Sequence, residues 1–358
     1  MKIVFFIGHM GYGGAERVIS LLANDYCRRG WDTRIVMLLS NDVAQKLDEG
    51  VKLVDLSSIG GSYVKRAPYW LKNIRKYLKE EKPDCVVSFI GRINALVLTA
   101  ALGLKLPIIV SERNDPRHDG RGKAMLTYCD MSYRTARVVV FQTRAEEECF
   151  SDAVKARGIV IPNPVNVEGA VREKTEGFHI LTAGRLAEQK NHKMLMDAVA
   201  LLRQQLPEAR CTIYGEGELR QDLERYVAEK GMGDFISLPG HDRQIHQKVA
   251  QAAAFVLTSE YEGLPNALIE AMMMGVPSIT TDYPGADEVM EDGVTGFIIP
   301  RGDAAALAEK LLLLAKDPAL AQTLADNARR EAERYRTENI IGLWRQTIEQ
   351  LSGKEATE

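Results

Sequence analysis

Short apolar runs alternate with longer amphipathic stretches along the first half of the chain. Each run has the length and the Val, Ile and Phe content of a buried strand, and the stretches between them repeat apolar residues at helical spacing. Strands that alternate with helices in this way are typical of a doubly wound parallel sheet. The predicted strands are 2–8, 33–39, 85–89, 107–110, 138–141 and 159–161, and the predicted helices are 15–29, 63–83, 92–103, 123–135 and 143–151.

The alternation is interrupted at residues 161–177, IPNPVNVEGAVREKTEG, and then starts again. Prolines followed by a charged stretch are typical of an interdomain linker. A chain of 358 residues with 46% hydrophobic content is also long enough for two cores. The second set of predicted strands is 178–183, 211–214, 235–238, 254–257, 276–280 and 296–299, and the predicted helices are 191–205, 218–230, 244–252, 265–274 and the whole of 303–351.

These patterns predict an α/β chain with two doubly wound, Rossmann-like domains. We assign residues 1–165 to the first domain and 166–336 to the second. Ligands of such sheets bind beyond the carboxyl ends of the strands, so we expect these ends to face each other across a cleft. The last predicted helix, 337–351, is long enough to cross back, and residues 337–358 are expected to pack on the first domain.

Residues 254–275 combine a buried strand, an acidic turn and a helix that begins near a proline. Glu262 precedes this helix and Glu270 lies inside it. Because the first N–H groups of a helix and its macrodipole attract anions, the helix start is a candidate phosphate site framed by two carboxylates. The candidate residues here are Glu262, Gly263, Leu264, Pro265, Asn266 and Glu270.

Two other loops of the second domain follow predicted strands and carry candidate anion ligands. The loop AGRLAEQKN places Arg185 and Lys190, after Gly184, where a guanidinium and an ammonium can hold a diphosphate. The loop YGEGEL offers Gly215 and Gly217 for close approach of the backbone to a ligand. Alternatively, the charges are ordinary surface groups and the glycines form a turn, although three such loops in succession favour a ligand site.

The loop HMGYGG, after the first strand, has a weaker signal of the same kind. Gly13 and Gly14 stand at the start of a helix, where they let the backbone approach a bound group or simply let the helix pack on the strand. The glycine spacing of the dinucleotide-binding fingerprint is missing, and the second strand ends at Leu38 to Ser40 without an acidic residue. Both features argue against an NAD site.

Basic residues are concentrated in the first half of the chain. Residues 1–168 contain 25 Lys and Arg against 19 Asp and Glu, although the net charge of the whole chain is −3. In the predicted helix 63–83, a basic stripe lies beside apolar residues at helical spacing. Such a helix can lie on an anionic membrane surface, or it can be a surface helix whose lysines are merely solvated. The basic residues of the stripe are Lys72, Arg75, Lys76 and Lys79.

The rest of the composition narrows the class of protein. No apolar run approaches the roughly 20 residues that span a bilayer. The five cysteines are scattered without metal-binding spacing, as expected of thiols in a reducing cytoplasm. No nucleic-acid partner is expected.

Five motifs in fixed order resemble a known family. They are GG-A-E after the first strand, IPNPV at the domain junction, GRL-x3-K, the glycine pair of YGEGE, and E-x7-E as EGLPNALIE. Together they resemble family 4 of the retaining, nucleotide-sugar-dependent glycosyltransferases, which have the GT-B fold. More narrowly, the SER sequence, YGEGELR and EGLPNALIE are similar to those of bacterial N-acetylgalactosaminyltransferases that extend undecaprenyl-diphosphate-linked glycans in O-antigen and related pathways.

The resemblance implies roles for individual residues. Arg185 and Lys190 would hold the donor diphosphate with help from the Gly14 backbone, and Glu270 would bind the ribose. Glu262 and the amides of Leu264 to Asn266 would contact the sugar and the phosphate, so Arg185, Lys190 and Glu262 are the catalytic candidates. Many relatives have a sugar-site histidine where this chain has Arg113, and we place Glu112 and Arg113 at the sugar or acceptor site.

The resemblance implies transfer of a hexose or N-acetylhexosamine from a UDP-sugar to a polyprenyl-diphosphate-linked glycan. No Asp-x-Asp sequence occurs, so we expect no metal or other cofactor, and positive side chains and helix dipoles would stabilise the leaving phosphate. The enzyme is expected in the cytoplasm, bound peripherally to the inner face of the bacterial inner membrane. The alternatives are a sugar-nucleotide epimerase or hydrolase of the same fold and a non-catalytic nucleotide-sugar-binding module.

Overall fold

The structure is a computed structural model that describes residues 1–11, 13–57, 63–113, 115–167, 169–170, 172 and 177–353, with only the backbone of Tyr63 and Val64. The chain divides into two compact units. Unit 1 consists of Met1–Pro164 and Thr337–Glu358, and unit 2 consists of Val165–Arg336. Part of the predicted linker, at residues 168, 171 and 173–176, lies outside the described residues.

Unit 1 is built on a parallel sheet of seven strands in the order β3-β2-β1-β4-β5-β6-β7. Strands β1 to β3 are added toward one edge of the sheet and strands β4 to β7 toward the other. The topological switch point of this doubly wound sheet therefore lies between β1 and β4. The strands are β1 (Lys2–Ile7), β2 (Asp32–Met37), β3 (Lys52–Asp55), β4 (Cys85–Phe89), β5 (Ile108–Ser111), β6 (Val138–Phe141) and β7 (Gly158–Val160). The helices are α1 (Gly14–Arg28), α2 (Tyr63–Glu81), α3 (Gly91–Ala101), α4 (Lys123–Tyr133), α5 (Arg144–Glu147), α6 (Asp152–Lys155) and, at the end of the chain, α13 (Thr337–Ser352).

Unit 2 repeats this design with a parallel sheet of six strands in the order β10-β9-β8-β11-β12-β13. Its strands are β8 (His179–Ala183), β9 (Arg210–Tyr214), β10 (Ile236–Gly240), β11 (Ala254–Leu257), β12 (Ser278–Thr281) and β13 (Phe297–Ile299). Its helices are α7 (His192–Leu202), α8 (Arg220–Glu229), α9 (Ile245–Ala250), α10 (Asn266–Met273), α11 (Ala304–Lys316) and α12 (Pro318–Ala332). The predicted pair of doubly wound sheets is confirmed.

Each sheet is buried on both faces, which explains the continuous apolar runs of its strands. In β1, Val4 shares a core with Trp70 of α2, whereas the next residue, Phe5, shares the opposite core with Trp344 of α13. Helix α13 contacts both α1 and β4, so the last helix of the chain belongs to the core of unit 1. Successive side chains of a strand point to opposite faces, and both faces here require apolar residues.

The sequence prediction differs from the structure where burial is low or a cap intervenes. The edge strand β3 was missed because its side chains are mostly exposed, with Leu53 at 44%. Of the predicted helix 143–151 only the single turn α5 is helical, and a second single turn, α6, begins after that range. The predicted C-terminal helical stretch is interrupted at Asp317, whose side chain accepts a hydrogen bond from Leu320 N and caps α12.

No helix among the described residues is long and apolar enough to cross a membrane.

Candidate functional site

Two loops at the carboxyl edge of the unit 2 sheet are packed directly against each other. Leu186 N donates to Glu216 O at 3.0 Å, and Leu219 N donates to Leu186 O at 3.0 Å. A Cβ at Gly215, where φ is +141°, would lie 1.8 Å from Gly184 O, and a Cβ at Gly217 would lie 2.3 Å from Leu186 O. These glycines are therefore required by the packing of one loop on the other, and their approach to a ligand stays a prediction.

Lys190 lies in the loop that joins β8 to α7. It ends a short 3-10 turn, Glu188–Lys190, and the next residue, Asn191, adopts a left-handed conformation and caps α7. The Lys190 ammonium lies 2.5 Å from Oε1 of Glu262, and its side chain is only 15% exposed. Arg185, at the start of the same loop, is exposed. One cation of the loop is thus already paired and the other lies at the surface.

Hydrogen bonds join this loop to the turn that follows β11. Thr258 Oγ1 donates to Lys190 O at 2.8 Å, and Glu260 N donates to Gln189 O at 2.8 Å. Asn191 Nδ2 donates to the Glu260 carboxylate at 2.6 Å. Together with the Lys190–Glu262 pair, these bonds fix the two segments to each other. We call residues 188–191 and 258–262 the loop clamp.

The carboxylate of Glu262 is held by several donors inside the loop clamp. Ser259 Oγ donates to its Oε1 at 2.5 Å, and Gln189 Nε2 lies 3.4 Å from its Oε2. Ser259 is fully buried, and Thr281 Oγ1 in turn donates to Ser259 O at 2.5 Å. The orientation of Glu262 is therefore set before any ligand arrives, since each of its neighbours is anchored as well.

Helix α10 begins one residue later than the sequence predicts. Pro265 is its N-cap residue, outside the helix. Of the three amides assigned to phosphate and sugar, Pro265 has no N–H, and the Asn266 N–H donates to Leu264 O at 3.0 Å. Pro265 therefore cannot donate an N–H to a ligand, and ligand contacts of the Leu264 and Asn266 amides stay predictions.

Glu270 lies within α10, as predicted. Its Oε2 is 3.4 Å from Nε2 of His246 in α9. The pairing places an imidazole beside the carboxylate that the family resemblance assigns to ribose.

His192 was not identified from the sequence, although it lies two residues after Lys190. It is 3% exposed at the first position of α7, and its Nε2 lies 3.1 Å from Arg185 O. Burial lowers the pKa of its imidazole to about 4. The sequence offered only a lone histidine near a cation, and such a signal does not distinguish a buried residue from an exposed one.

The start of α1, at the carboxyl edge of the unit 1 sheet, is shaped by a carboxylate. Gly13 is the N-cap residue of α1, and a Cβ at this position would lie 2.1 Å from Oε2 of Glu16. Oε1 of the same carboxylate lies 3.6 Å from Nδ1 of His9. Among the residues that the structure describes, a Cβ at Gly14 would meet only Asn163 Nδ2 within 4 Å, at 3.8 Å. Gly13 thus makes room for Glu16, whereas Gly14 leaves the helix start open.

Glu112 does not lie at a ligand surface. Its side chain is fully buried, its Oε2 lies 2.9 Å from Nη1 of Arg121, and it accepts a hydrogen bond from the Tyr133 hydroxyl at 3.0 Å. Although burial lowers the pKa of the Arg121 guanidinium, its attraction to Glu112 raises that pKa overall. The predicted sugar contact would require this buried ion pair to open.

Arg113 is also buried. Its guanidinium lies over the rings of Phe89 and Trp344, at 4.9 Å and 5.5 Å, and Nη1 donates to Asn163 Oδ1 at 2.7 Å. Burial lowers the pKa of this guanidinium to about 10. Within the described part of the chain, its Nε and Nη2 have no hydrogen-bond partner.

A further buried carboxyl lies near Arg113. Glu146 is 1% exposed and accepts hydrogen bonds from Gln142 N at 2.8 Å and Gln142 Nε2 at 2.9 Å. Burial raises the pKa of Glu146 to about 8, and the charge of Glu112 contributes to the rise. The carboxyl edge of unit 1 therefore contains several ionisable groups in its interior.

A pocket of about 250 Å³ opens at this edge beside the switch point of the sheet. Ile90, with φ +76°, lies in its wall, and this conformation is rare for a β-branched residue. Gly91 brings the start of α3 against Arg121, because a Cβ there would lie 1.7 Å from Nη1. Polar lining residues are His9, Arg92, Asp119 and Arg121.

The basic stripe of α2 is only partly available to a partner. Arg75 Nη1 donates to Ala100 O at 2.8 Å and to Leu102 O at 2.7 Å, so it caps the end of α3. Lys72, Lys76 and Lys79 are exposed, and Lys76 lies 3.9 Å from Glu80. Arg75 is therefore removed from the set of solvent-facing cations.

No three His, Cys, Asp or Glu side chains in the described ranges are grouped as they would be around a metal ion.

Two protein-family models match consecutive parts of the chain. Residues 12–168 match "Glycosyltransferase Family 4", and residues 166–331 match "Glycosyl transferases group 1". The matches meet at residues 166–168, near the boundary between the two units, so each model corresponds to one unit.

Curated relatives match over nearly the whole chain. One is a Campylobacter jejuni enzyme named GalNAc-alpha-(1->4)-GalNAc-alpha-(1->3)-diNAcBac-PP-undecaprenol alpha-1,4-N-acetyl-D-galactosaminyltransferase, 29% identical over 98% of this chain and 99% of that protein. Another is an uncharacterized glycosyltransferase of Haemophilus influenzae, 25% identical over 96% of this chain and 99% of that protein.

Solved structures show the same fold. Anabaena Alr3699/HepE in complex with UDP has a TM-score of 0.83 at 20% identity, covering 98% of this chain and 100% of that one. The lipopolysaccharide outer core galactosyltransferase WaaB, in its apo form, has a TM-score of 0.80 at 22% identity, covering 98% and 99%.

Proposed function

Because the chain belongs to the glycosyltransferases, with a Glycosyltransferase Family 4 segment followed by a Glycosyl transferases group 1 segment, we propose which sugar transfer it catalyses. It moves a hexose or N-acetylhexosamine, in the first place N-acetylgalactosamine, from a UDP-sugar to a polyprenyl-diphosphate-linked glycan. The new glycosidic bond is α, with the donor configuration retained. The observation that carries this proposal is the Lys190–Glu262 pair, at 2.5 Å, within the loop clamp.

The donor diphosphate is bound by Arg185 and Lys190 in this proposal. Arg185 is exposed, and the Lys190 ammonium, which has three N–H donors, keeps its contact with Glu262 and donates a further hydrogen bond to a phosphate oxygen. A fixed positive group beside the departing diphosphate stabilises the charge that develops in the transition state, and one such donor contributes about 3–4 kcal/mol. UDP is the nucleotide named for Anabaena Alr3699/HepE, which supports UDP here.

Glu262 contacts the hydroxyl groups of the donor sugar, and Glu270 contacts the ribose. Ser259, Lys190 and Gln189 hold the Glu262 oxygens in place, so its orientation costs no rearrangement when the donor binds. The same three contacts spread the negative charge of Glu262 and make it a poor nucleophile. We therefore assign it to positioning the sugar.

The reaction then proceeds at one face of the donor sugar. The acceptor hydroxyl attacks the anomeric carbon as the bond to the UDP oxygen breaks, and the departing phosphate oxygen takes the proton of that hydroxyl. The products are the α-glycoside and UDP. We propose that Arg185, Lys190 and the start of α10 supply the countercharge without a metal ion. Full activity in excess chelator is expected, and loss of activity that Mg²⁺ or Mn²⁺ restores would contradict the proposal.

The acceptor binds to unit 1 in this proposal. The pocket of about 250 Å³ beside the switch point is large enough for one sugar ring and is lined by polar groups. The exposed lysines of α2 contact an anionic membrane surface, which places the enzyme peripherally at the membrane that carries its acceptor. The undecaprenol-linked substrate in the name of the Campylobacter jejuni relative supports this acceptor class.

The test is incubation of the full chain with UDP-N-acetylgalactosamine, with and without a polyprenyl-diphosphate-linked glycan. Transfer predicts a lipid extended by one or more sugars and release of UDP that depends on the acceptor. Release of UDP or change of the donor sugar without dependence on the acceptor would contradict the proposal. A panel of UDP-glucose, UDP-galactose and UDP-N-acetylglucosamine then tests the choice of sugar.

A further inference from the structure

His192 is a buried residue next to the proposed diphosphate site, and the proposed sugar transfer gives it no role. Its Nε2 lies 3.1 Å from Arg185 O. A carbonyl oxygen only accepts hydrogen bonds, so the imidazole carries its proton on Nε2 and donates it. Nδ1 is then a bare acceptor, and it has no partner among the residues that the structure describes.

The surroundings keep this imidazole uncharged. It is 3% exposed, and burial together with the nearby Lys190 ammonium lowers its pKa to about 4. A charged imidazole would add a third cation beside Arg185 and Lys190 and would have to be buried. A neutral imidazole with a fixed N–H direction is suited to holding a backbone group.

The carbonyl that His192 holds belongs to an exposed residue of a short loop. Arg185 O also accepts a hydrogen bond from Ala187 N at 3.0 Å. Two donors on one carbonyl fix the peptide plane that follows Cα of Arg185. The direction in which the Arg185 side chain leaves the loop is therefore fixed by a residue that is out of reach of solvent.

We propose that His192 is a positioning residue that orients Arg185 toward the donor diphosphate. It acts through the backbone of Arg185 and touches no substrate. This inference rests on the proposed function, because it assumes that Arg185 binds the diphosphate.

The test compares His192→Asn with His192→Gln in the full chain. Gln extends its amide N–H to about the position of Nε2, whereas Asn is one methylene shorter and leaves Arg185 O without this donor. We expect His192→Asn to weaken UDP binding about tenfold, measured by calorimetry, and to lower kcat with the donor to a similar extent. His192→Gln is expected to restore both values to within about threefold of the unmodified chain.

A double-mutant cycle shows whether the effect passes through Arg185. In an Arg185→Ala background, His192→Asn is expected to change the UDP dissociation constant by less than about twofold. His179 is the matched control: it is a partly buried histidine at the start of β8 whose Nε2 contacts Thr212 at 2.9 Å. His179→Asn should leave UDP affinity unchanged.

The outcomes separate the two hypotheses. If Arg185→Ala binds UDP as well as the unmodified chain does, the diphosphate assignment itself is wrong. If Arg185→Ala loses affinity but His192→Asn has no effect, or its effect adds in full to that of Arg185→Ala, only the positioning role of His192 is wrong. Thermal unfolding of each variant is measured alongside, and His192→Gln keeps the test valid if His192→Asn does not fold.

Discussion

The carboxyl edges of the two sheets are built from polar residues in opposite ways. In unit 2 the charged groups lie in loops and some of them reach solvent: Arg185 is exposed, and the side chain of Lys190, which pairs with Glu262 across the loop clamp, is 15% exposed. In unit 1 the charged groups Glu112, Arg113 and Glu146 lie in the interior. Polar residues that follow a strand therefore indicate a ligand site only when their oxygen and nitrogen atoms are accessible to a ligand.

The two edges should also differ in how strongly a substitution changes the free energy of unfolding. Breaking a buried ion pair leaves an uncompensated charge in the interior, whereas removing a surface group costs little stability. Changes at the unit 1 edge should therefore act first on folding, and loss of the exposed Arg185 at the unit 2 edge should act first on catalysis.

The largest effect on stability is expected from Glu112→Ala. It removes one of the two carboxylates paired with the buried Arg121 guanidinium, at 2.9 Å, and leaves the Asp119 carboxylate as the other, so we expect a loss of about 3 kcal/mol of unfolding free energy, the lower end for a broken buried ion pair. Urea unfolding measures this loss. The matched control is Glu148→Ala, since Glu148 pairs with Lys155 at the surface and its side chain is 70% exposed. A Glu112→Ala variant of normal stability that has lost transfer activity would show instead that Glu112 is a substrate ligand.

The pH dependence of stability should have opposite signs in the two units. Burial lowers the pKa of His192 from 6.5 to about 4, so the unfolded chain takes up this proton first and stability falls as the pH falls from 6.5 toward 4. The loss of stability from this group alone reaches about 3 kcal/mol.

The pKa of Glu146 in unit 1 is raised from 4.5 to about 8. Its contribution to stability is therefore complete below pH 4.5 and falls as the pH rises through 8.

Two glutamine variants separate these contributions. Compared with the unmodified chain, His192→Gln should lose less stability between pH 7 and pH 4. Glu146→Gln should lose less stability between pH 5 and pH 9. Thermal unfolding at each pH checks both, and an unchanged pH profile in either variant would contradict the assigned pKa of that group.

The smallest effect is expected from the surface of α2. Each exposed lysine near an anionic membrane contributes about 1 kcal/mol, so Lys72→Gln and Lys79→Gln should each weaken binding to anionic vesicles about fivefold. Arg75→Gln is the contrasting variant, because Arg75 caps α3 and should lower stability more than vesicle binding. If all three variants bind vesicles as well as the unmodified chain does, the basic stripe is only a solvated surface.

The fold could be predicted from the sequence wherever burial was complete. Strands β4, β6 and β11 begin and end at the predicted residues, because each is an apolar run that both faces of a sheet require. The edge strand β3 could not be found in this way, since an exposed strand has no apolar run. The break at Asp317 required recognition of a helix cap inside a long helical pattern.

The sequence led to individual candidate residues but not to the contacts between them. The family resemblance selected Lys190 and Glu262, which are 72 positions apart, and nothing in the sequence shows that they pair. Ser259 and His192 were missed because their role depends on burial and on one hydrogen-bond partner each. The packing of Gly215 and Gly217 on the neighbouring loop was also missed, because a sequence does not show which backbone a glycine faces.

The assignment of Arg185 and Lys190 to the donor diphosphate is tested most directly by measuring sugar transfer to the lipid-linked acceptor in Lys190→Ala and Arg185→Ala. We expect kcat to fall about 100-fold or more in each variant, with unchanged thermal stability for Arg185→Ala and lower thermal stability for the folded Lys190→Ala, since that change leaves the largely buried Glu262 carboxylate without its cation. Lys193→Ala, an exposed lysine of α7 near Tyr226, is the matched control and should keep full activity. Full transfer activity in both folded variants would contradict the assignment of the loop clamp to the donor diphosphate.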